Sequence, residues 1–175
     1  VRPPRLDVLA DRAGPAVSEA PFPRIDRREA VARVRADRGD GGCLVCDLLA
    51  GRAGPVEVIE RGEAAIVVLA RYALRPGHVL VLANACVSSV AELDERAWVE
   101  MACLARRAVS AVERVVAPGR CYVASLGTSA EVPMSSAHVH LHVVPVDADA
   151  RPASVLTWEH GVCLVEGPTS GALAA

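Results

Sequence analysis

Ala137-His138-Val139-His140-Leu141-His142-Val143-Val144-Pro145 is the stretch on which the reading of this 175-residue chain turns. Three of the five histidines stand two apart, with aliphatic residues between them. A strand has a side-chain period of two, so the imidazoles of His138, His140 and His142 share one face and start about 6.5 to 7 Å apart along it. Val139, Leu141 and Val143 then take the opposite, buried face. Taken alone, the alternation fits a wet edge strand, a zinc gripped by two histidines, or a site for a phosphate or substrate. The rest of the chain has to decide.

Upstream of this strand, Gly127 to Ala137 reads as a loop of Ser, Thr, Gly and Pro that feeds it, with Ser135 and Ser136 nearest the histidines. Loops at strand entrances are where hydroxyls and amides for phosphate binding are placed. Cys121 to Leu126 is the strand before that loop. Further upstream, Ser89 and Glu92 form a capping box, and Leu93, Ala97, Met101, Leu104, Ala108, Val112 and Val115 recur at helical spacing. This predicts one long amphipathic helix, ended by Pro118-Gly119, lying on a sheet. Before it, Pro76-Gly77 turns the chain into the strand His78 to Leu82, and Val56 to Arg61 with Ala64 to Ala70 predict two strands joined at Gly62.

Gly41-Gly42-Cys43-Leu44-Val45-Cys46 is a C-x-x-C knuckle running into a helical turn. Two thiolates at this spacing serve zinc or redox chemistry. A redox pair wants a strand before an electropositive helix start, and here Gly-Gly precedes it. Zinc needs two further ligands, and His78 is the natural candidate for one of them.

Composition narrows the class. A hydrophobic fraction of 52% with only 3% aromatic residues predicts one domain with a core of Val, Leu and Ala. The net charge of -2 gives no general attraction to nucleic acid, so no nucleic acid polymer is expected as a partner. No apolar run approaches a membrane span, and Arg2, Arg5 and Asp7 interrupt any signal-peptide core, so a cytoplasmic protein with no membrane partner is expected. The six cysteines then read as two metal-ligand candidates and four buried thiols, Cys86, Cys103, Cys121 and Cys163. Residues 1–40 are expected to be a Pro/Arg-rich extension holding a short helix capped by Asp26, residues 41–166 the domain, and residues 167–175 a flexible tail. Ser154 to Val165 offers a last strand or two around Trp158 and His160.

With these pieces placed, the chain resembles the histidine triad (HIT) superfamily, zinc-binding C-x-x-C type. Its motif, His-φ-His-φ-His-φ-φ with φ apolar, is matched in full from His138 to Val144, and Pro76 to Val81 and the long helix fall in the expected order. The resemblance implies an α+β fold, a five-stranded antiparallel sheet with one long helix, assembled as a homodimer. It implies a structural zinc on Cys43, Cys46, His78 and His138. His140 would be the nucleophile that attacks an α-phosphate to give a nucleotidyl-histidine, with His142 and Ser135 assisting and Ser136 and Gly127 binding substrate. The expected partner is a small-molecule nucleotide or activated metabolite. Two other readings follow from departures: Met134 stands where the family has Gln, its acidic ribose contact near Ala70 is missing, and Asn84-Ala85-Cys86 replaces its Lys/His. One is a repurposed HIT-like protein acting on or binding a non-nucleotide small molecule. The other is a metalloenzyme with the metal on the three triad histidines.

Overall fold

A computed structural model describes residues 22–38, 42–126, 137–148, 158 and 161–166. The strands β2 (Val58–Arg61), β3 (Ala65–Leu69), β5 (Val79–Ala83), β6 (Arg120–Ala124) and β7 (His140–Val146) form an antiparallel sheet in the order β2-β3-β5-β7-β6. The α+β class, the five-stranded sheet and the long helix expected from the sequence are all present.

Register sorts the faces. Ile66 stands opposite Leu82, which stands opposite His140, and Val68, Leu80 and His142 form the next such row. Opposed residues in an antiparallel ladder share a face, so the two histidines project from the Ile66/Val68 side. The alternate rows, Val67-Val81-Leu141 and Leu69-Val79-Val143, lie on the other side. That side is sealed by the long helix α3 (Glu95–Val116), whose Met101, Leu104, Ala105, Ala108 and Val112 join the main core. On the histidine side the short helix α2 (Leu44–Leu49) places Val45 against Ile66, Val68 and Leu82.

The helix start differs from expectation. The Ser89/Glu92 capping box is present, but it closes a single turn of 3-10 helix, Val90–Glu92, and α3 begins afresh with Asp94 accepting from the Ala97 amide. Leu93 is in extended conformation between them, because a second acceptor at Asp94 restarts the helix at a new angle. Val115 closes the expected stripe yet is 47% exposed.

A second sheet carries the ends of the described chain. The strands β1 (Arg24–Ile25), β4 (Tyr72–Ala73) and β8 (Val162–Leu164) pair antiparallel in the order β1-β8-β4. The helix α1 (Arg27–Asp37), capped by Asp26 as expected, buries Ala30 and Val34, and Ala30 packs with Ile25, Val162 and Leu164 beside Tyr72 and Trp158. The four thiols expected to be buried divide otherwise: Cys163 is buried, Cys121 half-buried, and Cys86 and Cys103 exposed. Cys103 sits one residue off the apolar stripe of α3, so its turn of helix faces outward.

Gly77 positions the site. Its φ of +81° is a conformation side chains rarely adopt, and a Cβ there would stand 2.6 Å from Val116 Cγ2. The turn thus packs directly on the end of α3, with His78 the next residue. Gly77→Ala is expected to cost about 2 kcal/mol and lower the melting temperature by about 4 to 8 °C. Calorimetry showing an unchanged midpoint would contradict this packing.

Candidate active site and metal centre

The hydrogen bonds of four buried or half-buried histidines assign each ring a chemical role. His140 Nδ1 lies 2.7 Å from the His138 carbonyl oxygen. A carbonyl only accepts, so Nδ1 carries the hydrogen. Burial, with the His138 carbonyl opposing and the His138 charge adding, holds the His140 ring below its ordinary range. The neutral ring then keeps its lone pair on Nε2.

His142 is set from behind. The Leu74 amide donates to His78 Nδ1 at 3.2 Å. Complete burial, then the neighbouring His142 and His140, hold His78 well below the usual histidine range, so it too is neutral. Its single hydrogen is on Nε2, which donates to His142 Nδ1 at 3.0 Å. Burial first and His140 second push His142 down to about 3. Its remaining hydrogen therefore sits on Nε2. The His140 and His142 rings lie edge to face with centroids 4.7 Å apart. A lone-pair nitrogen stands beside an N–H donor, the pairing needed to attack an electrophilic phosphorus while hydrogen-bonding its oxygens.

Both rings line a cavity of about 150 Å³. Leu44, Val45 and Leu48 of α2 and Val68, Leu80 and Leu82 of the sheet make its apolar wall, while Val34 and Asp37 of α1, with Arg71, Tyr72 and Trp158, complete it. His140 also borders a second cavity, where Ser88, Ser89 and Ser125 supply hydroxyls.

His138 serves a different centre. Its Nε2 lies 2.7 Å from the Ala83 carbonyl oxygen, so Nε2 carries the hydrogen and Nδ1 is the lone-pair nitrogen. Nδ1 lies 3.4 Å from Cys43 Sγ and 3.7 Å from Cys46 Sγ. With Cys86 Sγ these donor atoms all fall within 4.8 Å of one another. Donors around a tetrahedral zinc are spaced by about 3.5 to 3.8 Å, so the four could hold a metal. Hydrogen bonding to Cys86 first, then burial, then Cys43, push the Cys46 thiol up to about 12, whereas at Cys43 burial is outweighed by hydrogen bonds, those from Cys46 first, which hold it below the ordinary thiol value. The carbonyl that fixes the His138 tautomer is the outer-shell partner a ligating imidazole ordinarily has.

The sequence-derived sites are thus partly brought together. Cys43, Cys46 and His138 meet, but His78 stands on His142 instead, and Cys86 occupies the fourth place. Backbone pairing explains it: the Ala83 amide bonds the Val139 carbonyl and the Val139 amide bonds the Val87 carbonyl, which carries Cys86 alongside His138. The visible signal was Cys86 itself, four residues beyond Leu82 and in the segment where the family has Lys/His. Among the described residues the three triad rings make no common metal cluster. Ser135, Ser136, Gly127 and His160 lie outside the described residues.

A model of the HIT domain matches residues 53–149. The chain belongs to the HIT family. A curated relative, the AP-4-A phosphorylase of Mycobacterium tuberculosis, is 33% identical over 89 residues, which are 50% of this chain and 45% of that protein. The chain therefore spans about half the length of the curated relatives it matches. A hypothetical histidine triad nucleotide-binding protein from Sulfolobus tokodaii has the same fold at a TM-score of 0.60 and 18% identity, over 75% of this chain and 87% of its own. A Zn-bound histidine triad family protein from Mycobacterium smegmatis aligns at a TM-score of 0.53 and 20% identity, over 70% and 94% of the two chains. Among the described residues no helix is long and apolar enough to cross a membrane.

The neutral rings carry a pH signature. Exposed in the unfolded chain, a histidine protonates near pH 6.5, whereas His78 and His142 stay neutral in the fold. The unfolded state thus binds more protons as pH falls, and the stability these rings contribute is full above pH 6.5 and lost on acidification towards about pH 3 for His142. The slope is at most about 1.4 kcal/mol per pH unit per ring. Denaturant titrations at pH 7, 6 and 5 should show it, and His142→Asn should flatten it. Equal stability of the wild-type protein at pH 7 and pH 5 would contradict the assignment.

Proposed function

We propose that this HIT protein is a nucleotide hydrolase or nucleotidyl transferase acting at an α-phosphate through a covalent intermediate on His140. The observation that carries the proposal is the tautomer pair: Nδ1 of His140 is tied to a carbonyl, leaving Nε2 as nucleophile, while the Leu74–His78 relay leaves His142 Nε2 as donor. The family membership and the AP-4-A phosphorylase relative support a nucleotide as substrate.

In the proposed reaction the His140 Nε2 lone pair forms a bond to the α-phosphorus as the bond from phosphorus to the leaving group breaks. His142 Nε2–H hydrogen-bonds a phosphoryl oxygen, where charge develops. The leaving group departs with the electron pair and takes a proton from solvent or from Ser135, the hydroxyl assigned to it by the family motif. Water or a second acceptor then attacks phosphorus and gives up its proton to solvent or back to Ser135, the P–N bond breaks with its electron pair returning to Nε2, and His140 returns to its starting tautomer. The cavity beside the rings takes one ring-sized group, since a cavity of about this volume accommodates a benzene. The phosphate chain is assigned to the second, serine-lined cavity, and Ser136 and Gly127 keep the substrate-binding role that the resemblance to the family gives them.

A structural zinc would be held by Cys43, Cys46, Cys86 and His138, with Cys86 in the place the sequence reading gave to His78. When bound, such a four-ligand zinc supplies rigidity rather than an open position for water. The zinc-bound relative from Mycobacterium smegmatis is in keeping with this. His78 is then a positioning residue for His142.

Intact-protein mass spectrometry after brief incubation with adenosine 5′-phosphoramidate and diadenosine tetraphosphate, quenched at alkaline pH, tests the mechanism. Wild type should gain the mass of one adenylyl group and His140→Ala none; an adduct that survives in His140→Ala would refute the nucleophile. Metal analysis of the same preparations separates the two centres. Cys86→Ser should lose most of its zinc, whereas His78→Ala should keep zinc and lose about 10²-fold or more in turnover. Zinc lost from His78→Ala and kept by Cys86→Ser would return the fourth ligand to His78.

A further inference from the structure

The cavity beside His140 has one charged patch in a largely apolar wall, and the residue that creates it comes from outside the matched HIT segment. Asp37 is the last residue of α1. Its Oδ2 accepts from the Tyr72 hydroxyl at 2.6 Å and from Arg71 Nη1 at 3.2 Å. Arg71 is held in turn by Glu166 at 3.0 Å, and Glu166 also faces Arg33 of α1 at 3.7 Å. Among the described residues no donor is recorded on Asp37 Oδ1. A carboxylate offers about four lone-pair sites over two oxygens, so this one is clamped on one oxygen and open on the other.

Two physical points make the placement more than packing. A helix C-terminus carries partial negative charge, which disfavours a carboxylate there by about 0.3 to 1 kcal/mol. Positions where a local rule is broken are where function is expected. Secondly, the Asp37 side chain is only 23% exposed, and the clamp of Tyr72 and Arg71 holds it at the cavity wall with its second oxygen open to a donor.

We propose that Asp37 Oδ1 accepts a hydrogen bond from the nucleoside in this cavity, from a base amino group or a sugar hydroxyl, so that α1 selects the substrate for the chemistry at His140. The proposal rests on the nucleotide reading above. Arg71 and Tyr72 hold the carboxylate and complete the polar patch.

Isothermal titration calorimetry on the full chain tests it with three probes: AMP, 2′,3′-dideoxy-AMP, which lacks the sugar hydroxyls, and purine riboside 5′-monophosphate, which lacks the amine. Wild type should bind one of the two analogues about 10- to 100-fold more weakly than AMP, the loss expected for a hydrogen bond to a charged acceptor. That analogue names the group read. Asp37→Asn keeps an oxygen for Tyr72 and Arg71 but turns a donor toward the cavity. It should bind AMP as weakly as wild type binds the disfavoured analogue, and should no longer distinguish the two. Glu166→Gln weakens the ion pair that ties α1 down while keeping an acceptor for Arg71, and should preserve the discrimination. If Asp37→Asn discriminates like wild type, or Glu166→Gln reproduces its loss, Asp37 does not read the substrate. If wild type binds none of the three probes, the nucleotide reading itself falls and this assignment with it.

Discussion

The antiparallel pairing of β5 with β7 is the constraint on which the rest depends. Its hydrogen bonds would be as well satisfied one residue out of register, but the side chains would not. A slip would bring Leu141 and Val143, both buried under α3, to the histidine face and drive His140 and His142 into the core. Each aliphatic side chain left exposed costs about 1.5 to 3 kcal/mol, and each buried imidazole without a partner costs more. The Leu82–His140 and Leu80–His142 pairs are therefore set by what lies beneath them. The same pairing carries the chain past Ala83 to bring Cys86 beside His138.

Burial does chemical work once the register is set. Two imidazoles exposed to water would share their protons among tautomers. Here a carbonyl of the chain's own backbone holds the hydrogen of His140, and an amide at Leu74 acts through His78 to hold that of His142. The low dielectric that makes these rings neutral also makes each of their hydrogen bonds decisive. His138, one period earlier, precedes the strand and faces three thiols rather than the cavity. Three residues of one motif thus divide between a largely apolar cavity and a cluster of thiols that could hold a metal.

The second sheet has a different role. It ties residues from both ends of the described chain, β1 and β8, to β4, whose Tyr72 lies against the cavity. The ion pairs of Arg71 with Asp37 and Glu166 are partly shielded, with Arg71 only 27% exposed. They join α1 to β8 across the cavity's edge. A helix that would be marginal on its own at eleven residues is held by this tertiary packing.

What the sequence by itself determined is what local periodicity can encode. Alternation of two made the triad strand, recurrence at three and four made the long helix, and Pro76-Gly77 and Gly62 marked the turns between strands. Short acceptors were legible too, as at Asp26, although Ser89 and Asp94 divide a start that reads as one. Only the tertiary structure decided which side chains meet. Cys43 and His138 are 95 residues apart and Asp37 and Tyr72 are 35 apart. Whether the fourth member beside Cys43, Cys46 and His138 is His78 or Cys86 depends on how two strand ends leave a shared ladder. No spacing along the chain records that choice, because a donor set is defined by distances through space, and these follow from burial of the residues between.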